Sequence, residues 1–212
     1  MLPDGGRHSR VPAARINARR YPGLNMAVVV SLFRAVNVGG YNMVKMDALR
    51  KVYESLGLQG VQTYVQSGNV VCRTAGKDIG GLAKRIVDAV EASFGFRTAV
   101  MLRTVPELRA VVERNPFAGR KDVAPNRLLV SFLDGDPGPE APRRIKEFEA
   151  YEEELRLAGR ELYIHYPNGA GRSRLPIPRV EKALGGVQGT ARNWNTVLRL
   201  LEMAEALESG PK

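Results

Sequence analysis

From Met26 onward the apolar pattern of this chain switches between strand and helix periods in one order and then repeats it: β-α-β-β-α-β-α, twice. No other feature narrows the fold as far. A strand, a crossover helix, a hairpin, a second helix and a fourth strand make the split β-α-β unit of ferredoxin-like domains. In that unit strands one and two are parallel, with strand three antiparallel between them. The repeat is one of element order, not of residue identity. It predicts an α+β chain of two tandem ferredoxin-like (α/β plait) halves, 26–124 and 125–212, each with an extra helix.

The segments are read as follows. Ala27 to Phe33 is a continuous β-branched run, as expected of a buried central strand. Arg34 to Lys45 is a loop. Met46, Leu49, Val52, Tyr53 and Leu56 share one helical face, and Gly57 closes that helix. Val61 to Val65 alternates as a strand, Gln66 to Asn69 turns, and Val70 to Cys72 begins another strand. Ile79, Leu82, Ile86 and Val90 give a helix, and Thr98 to Leu102 a strand. Thr104 and Glu107 match a capping box that opens a helix to Arg114. In the second half Arg127 to Leu133 is a strand, and Ile145 and Phe148 mark a helix. Leu155–Leu157 and Leu162–Ile164 flank a hairpin turn at Ala158–Gly159. Ile177, Val180 and Leu184 mark a short helix closed by Gly185, Val187 to Thr190 is a short strand, and Trp194, Val197, Leu198 and Leu201 form the face of a last helix. Trp194 is expected to be buried against the second half's sheet.

Composition removes several function classes. The longest apolar stretch, Met26 to Phe33, is far shorter than the roughly 20 residues of a spanning helix. A single cysteine, Cys72, allows no internal disulfide and no thiolate cage, and two histidines, His8 and His165, are too few for a histidine-based metal site. No metal or cofactor is expected, and Cys72 reads as a small core residue. The net charge of +10 divides into +4 over residues 1–25, +6 over 26–125 and zero over 126–212. Attraction to a polyanion would therefore reside in the first two segments. Codon bias competes as an explanation, because 24 of the 32 basic residues are arginine.

Residues 1–25 have no periodicity and hold three prolines, so they read as a disordered N-terminal extension. No apolar run and A-x-A site suits a secretory signal. A transit peptide suits the arginine-rich composition better. The favoured reading is a start codon assigned too early, with the native chain beginning at Met26.

The split unit brings particular loops together. At one edge of the first half, Arg34, Asn37, Gly39, Gly40 and Lys45 come beside Gln66, Ser67 and Asn69. In the second half His165, Asn168, Arg172 and Ser173 come beside Arg192 and Asn193. Glycines turn backbone N–H groups outward, while Asn, Gln and Arg donate hydrogen bonds, so both sets are candidate anion-binding loops. Turn chemistry explains the same residue types without a ligand. Arg34 has no carboxylate nearby in sequence except Asp47, which makes it the central candidate of the first set. Glu152-Glu153-Glu154 reads as a solvated acidic run, and His165 as a hydrogen-bonded structural histidine. A pairing of Ser67 or Ser173 with His165 lacks an orienting acid.

Four stretches resemble one family: Phe33–Gly40 (FRAVNVGG), Thr63–Val70 (TYVQSGNV), His165–Gly169 (HYPNG) and Thr190–Val197 (TARNWNTV). They are similar to the signature stretches of the domain of unknown function family 1697, over about Met26 to Leu207. The resemblance implies a bacterial cytoplasmic protein of two ferredoxin-like halves and brings no known activity. Some relatives carry Gly in place of Ala35 and Lys in place of Arg174. Should an amine act at the latter position, a guanidinium would not replace it as a base.

Two functions are weighed. The leading one is a module binding a phosphorylated or otherwise anionic ligand through these loops, a small molecule ahead of nucleic acid. No helix has the dense basic face that double-stranded DNA needs, and the central strands lack the aromatics for stacking single-stranded RNA. The alternative is a metal-independent enzyme. In it Arg34, Lys45, Arg172 and Arg192 would stabilise an anionic transition state, and His165 or Tyr166 would move a proton. One cleft joining both loop sets would favour the enzyme.

Overall fold

The computed structural model describes residues 26–76 and 78–210, so the expectations for residues 1–25 lie outside the described residues. The first half runs β1 (Ala27–Phe33), α1 (Met46–Ser55), β2 (Gln59–Tyr64), β3 (Asn69–Thr74), α2 (Ile79–Phe94), β4 (Val100–Thr104) and α3 (Val105–Glu113). The second runs β5 (Leu128–Leu133), α4 (Ala141–Lys146), β6 (Glu154–Ala158), β7 (Glu161–His165), α5 (Ile177–Ala183), β8 (Gly189–Asn193) and α6 (Trp194–Ser209). The sheets have the orders β2-β3-β1-β4 and β6-β7-β5-β8, with every adjacent pair antiparallel. Both are ferredoxin-like sheets, as the repeated element order predicts.

The continuous apolar run of β1 is explained by its two covered faces. Val29 and Phe33 face the outer layer with α1 and α2, while Val28, Val30 and Leu32 face inward. In the second half α4 and α5 cover the outer face of the sheet. The two extra helices fill the space between the sheets. Val105, Leu108 and Val111 of α3 and Trp194, Val197, Leu200, Ala204 and Leu207 of α6 share one core with the inner faces of both sheets. Helix α6 packs against β1 and β3 of the other half as well as β5 and β8 of its own. An open sheet face for single-stranded RNA is thus absent among the described residues.

This exchange corrects the expected face of α6. Trp194 and Val197 are buried, but Leu198 is exposed and Leu201 only half-buried. The buried stripe continues through Leu200, Ala204 and Leu207, set by the first-half sheet that it meets. Two strands also sit later than predicted. β4 starts at Val100 because Thr104 serves both as strand end and as N-cap, and β8 starts at Gly189 because its polar sequence hides a strand. Cys72 is fully buried in β3, and burial pushes its thiol up to about 12.

The capping box at α3 is complete. Thr104 Oγ1 accepts from Glu107 N at 3.4 Å, and Glu107 Oε2 accepts from Thr104 N at 2.8 Å. Thr104→Ala is expected to lower stability by about 1 kcal/mol in urea denaturation. An unchanged midpoint would show that the cap contributes nothing.

Candidate functional site

The first-half loops spend their polar groups on themselves. Asn37 Nδ2 donates to Val44 O at 2.9 Å and to Gln66 O at 2.7 Å, and its Oδ1 accepts from Val44 N at 2.7 Å. That ties the 34–45 loop to the β2–β3 turn. Asn69 is fully buried; its Nδ2 donates to Tyr64 O and Ser67 Oγ, both at 3.0 Å. Gly39 and Gly40 have positive φ in a turn closed by Tyr41 N to Val38 O at 3.0 Å. Lys45 and Gln66 are exposed, but Val38, Tyr41, Met43 and Val65 make up the solvent-facing apolar part of this surface.

Arg34 has the carboxylate that its sequence neighbours did not offer. Its Nη2 lies 3.0 Å from Glu181 Oε1 on α5, an ion pair between halves that only the tertiary fold creates.

Arg192 is likewise committed. It is 7% exposed and projects from β8 into the first half. Its Nη2 donates to Phe33 O at 2.7 Å and Ser67 O at 2.9 Å, and its Nε to Asn69 Oδ1. Its Nη1 donates to Thr190 Oγ1 at 2.8 Å and Ala191 O at 2.9 Å. All five N–H donors are used, leaving none for an anion. With only neutral acceptors around it, burial brings the guanidinium down to about 10.

Arg103 does the same in the opposite direction. Arg103 lies opposite Val30 in the first sheet, as Arg192 lies opposite Val130 in the second. Its Nη2 donates to Leu133 O at 3.1 Å and Arg160 O at 3.3 Å, its Nη1 to Leu102 O at 2.9 Å, and its Nε to Glu161 Oε1 at 2.7 Å. The two halves therefore clamp one another reciprocally, each with an arginine from its fourth strand. Each guanidinium grips the end of the other half's first strand and the turn of its hairpin.

The second set of loops is divided too. Asn193 caps α6, accepting from Asn195 N at 3.0 Å and donating to Asn126 O at 3.1 Å. His165 is 4% exposed, beside Phe117, with Nδ1 3.7 Å from Glu154 Oε1 and without a hydrogen-bond partner. The expected hydrogen bond at His165 is thus missing on this nitrogen. Ser173 Oγ donates to Glu153, and Ser67 Oγ accepts from Asn69, so neither serine is engaged with the histidine.

Asn168, Arg172 and Ser173 do come together, in a cavity of about 560 Å³ that the first-half loops do not reach. Tyr151, Glu152, Glu153, Tyr166 and Arg174 complete its polar and aromatic wall. Tyr166 and Arg174 fall within the loop the sequence points to, Tyr166 as a proton carrier of the enzyme alternative, whereas Glu152 and Glu153 read there as solvated and Tyr151 carries no expectation. The signal was present in the hairpin. β6 and β7 pair Glu154 with His165, so the residues before 154 must lie beside those after 165.

The acidic run is accordingly not simply solvated. Glu154 is half-buried and takes a two-pronged contact from Arg120, at 2.7 and 2.8 Å, which holds its carboxyl below the usual range. Glu153 is half-buried, while Glu152 is exposed and accepts from Asn168. Burial, together with the Glu153 carboxylate, pushes the Tyr166 phenol up to about 12, so it remains a protonated donor at neutral pH. Arg172 and Arg174 are exposed, and neither forms an ion pair among the described residues.

Among the described residues no group of three or more His, Cys, Asp and Glu side chains is placed to hold a metal ion. No described helix is long and apolar enough to cross a membrane.

A family model described as "Protein of unknown function (DUF1697)" matches residues 26–163. The HYPNG and TARNWNTV stretches lie beyond that range. A solved structure of a conserved bacterial protein from Streptococcus pneumoniae is similar in fold, with 23% identity and a TM-score of 0.66. The likeness covers 84% of this chain and 99% of that one. No curated protein matches the chain.

Proposed function

We propose, for a chain that belongs to the DUF1697 family of proteins of unknown function, that it binds a small anionic ligand in the cavity between residues 151–153 and 166–174. The observation that carries this reading is the pair Arg172 and Arg174, guanidiniums without a carboxylate partner among the described residues, on the wall of a 560 Å³ cavity. That volume suits a small molecule. A guanidinium with its fork free is suited to two-pronged contact with a carboxylate or phosphate. Of the other candidates, Asn37, Asn69 and Arg192 are used in structural contacts, and Arg34 pairs with Glu181 through Nη2 while its buried Nη1 has no hydrogen-bond partner among the described residues.

The enzyme alternative is weaker on this geometry. His165 is buried outside the cavity wall, and a phenol held near 12 is a poor proton donor or acceptor at neutral pH. None of the first-half loop residues lines this cavity.

The test is a thermal-shift series with sugar phosphates, nucleoside phosphates, small carboxylates and short single-stranded RNA. A ligand at a hundredfold excess over its Kd stabilises by about 2.7 kcal/mol, or roughly 5–10 °C in a chain of this size. The Arg172→Ala/Arg174→Ala variant is expected to melt as the wild type does and to lose that shift. An equal shift in the variant would overturn the assignment, and a response to RNA alone would turn it toward nucleic acid.

A further inference from the structure

We infer that the ligand of this cavity is a free nucleoside monophosphate: its phosphate meets Arg172 and Arg174, and its base stacks on Tyr151. This rests on the anion-binding reading of the same cavity and specifies the other end of its ligand.

The two walls of the cavity differ in chemistry. One is the segment 151–153 and the other the segment 166–174, brought together by the hairpin that pairs Glu154 with His165. Both cations, Arg172 and Arg174, belong to the second wall. The first wall carries two carboxylates, Glu152 exposed and Glu153 half-buried, beside Tyr151. Like charges repel, so an anion is held at the arginines, and the part of the ligand that reaches the first wall carries no negative charge. Tyr151 decides what that part is. It lines the cavity and is nevertheless 70% exposed. Among the described residues its ring enters no aromatic pair and no cation–π contact. Tyr166, the other tyrosine of the cavity, is buried, so Tyr151 offers the open ring face. A flat ring laid on that face buries apolar area and gains the offset stacking that aromatic pairs prefer, which a sugar does not. Nucleobases stack on such platforms whatever their identity, because every base has a π-face. A single phosphate suits a site whose cations stand at one end, and about 560 Å³ has room for base, ribose and phosphate together.

Isothermal titration of the full chain with adenosine 5′-monophosphate, uridine 5′-monophosphate and ribose 5-phosphate tests this, since the three share ribose and phosphate and differ in the base. At least one nucleotide is expected to bind tenfold or more tightly than ribose 5-phosphate. Tyr151→Ala is expected to abolish that preference and leave ribose 5-phosphate bound as before, whereas Tyr151→Phe keeps the ring and the preference. Tyr151 is exposed, so both variants are expected to melt as the wild type does. Equal binding of all three compounds by the wild type overturns the nucleotide inference and leaves the anion reading standing. A preference that survives in Tyr151→Ala overturns it as well. A 5′-phosphorylated RNA hexamer that binds more tightly than both nucleotides overturns the free nucleotide as ligand. Binding of none of these removes both readings.

Discussion

Arg192→Met is expected to destabilise the protein by about 3–5 kcal/mol, because it leaves buried acceptors in the other half without donors. Phe33 O keeps a bond from Thr190 Oγ1 at 3.0 Å, but Ser67 O and the Asn69 side-chain oxygen lose the guanidinium. Asn69 is fully buried, so water does not simply replace it. Methionine reproduces the side chain only as far as the Nε position and leaves the guanidinium's space empty, so the loss combines unpaired acceptors with a small cavity. Arg192→Lys keeps the charge but offers three donors from one point instead of five from a plane, and is expected to recover only part of the loss. Urea denaturation of the three proteins measures this. A loss below about 1 kcal/mol in Arg192→Met, within reach of ordinary substitutions, would mean that the clamp is incidental. A binding residue would behave differently: Arg192→Lys would retain stability and lose ligand.

Trp194→Ala is expected to cost about 3–5 kcal/mol, as large core truncations do. Trp194 opens α6 and is 9% exposed, in the core shared by both sheets. It also borders a cavity of about 360 Å³ with Phe117, Val123 and Leu128, so little lies behind it to refill the space. It is the single tryptophan of the chain, so emission reports on it alone. Native emission should be blue-shifted and move red on unfolding. Solvent-like emission from the folded protein would refute its burial and return the side chain to the surface as a stacking platform.

The fold was legible because apolar period is a local property. The β-branched run 27–33, the capping box at Thr104 and the hairpin around Ala158–Gly159 each announce an element within a few residues, and the order of elements selects the ferredoxin-like sheet. β8 was misplaced because Gly-Thr-Ala-Arg-Asn carries a buried arginine where a strand ordinarily shows an apolar residue. The face of α6 was half right, since it also packs on β1 and β3, strands that precede it by more than a hundred residues.

The candidate site divides along the same line. Asn168, Arg172 and Ser173 were picked out for their chemistry, and the cavity does gather them. Glu153 and Tyr151 were missed, although the hairpin register placed them there in advance. Arg34, Asn37, Asn69 and Arg192 share that chemistry, and no local pattern distinguishes a donor free for a ligand from one already used. That depends on which acceptors arrive from elsewhere: Glu181 for Arg34, and Phe33, Ser67 and Asn69 for Arg192. The sequence by itself thus determined the elements, their order and the sheets they form, because backbone propensity and apolar period act over a few residues. Only the tertiary structure decided which polar groups are spent in holding the halves together and which remain free, because hydrogen-bond satisfaction is settled between residues far apart in the chain.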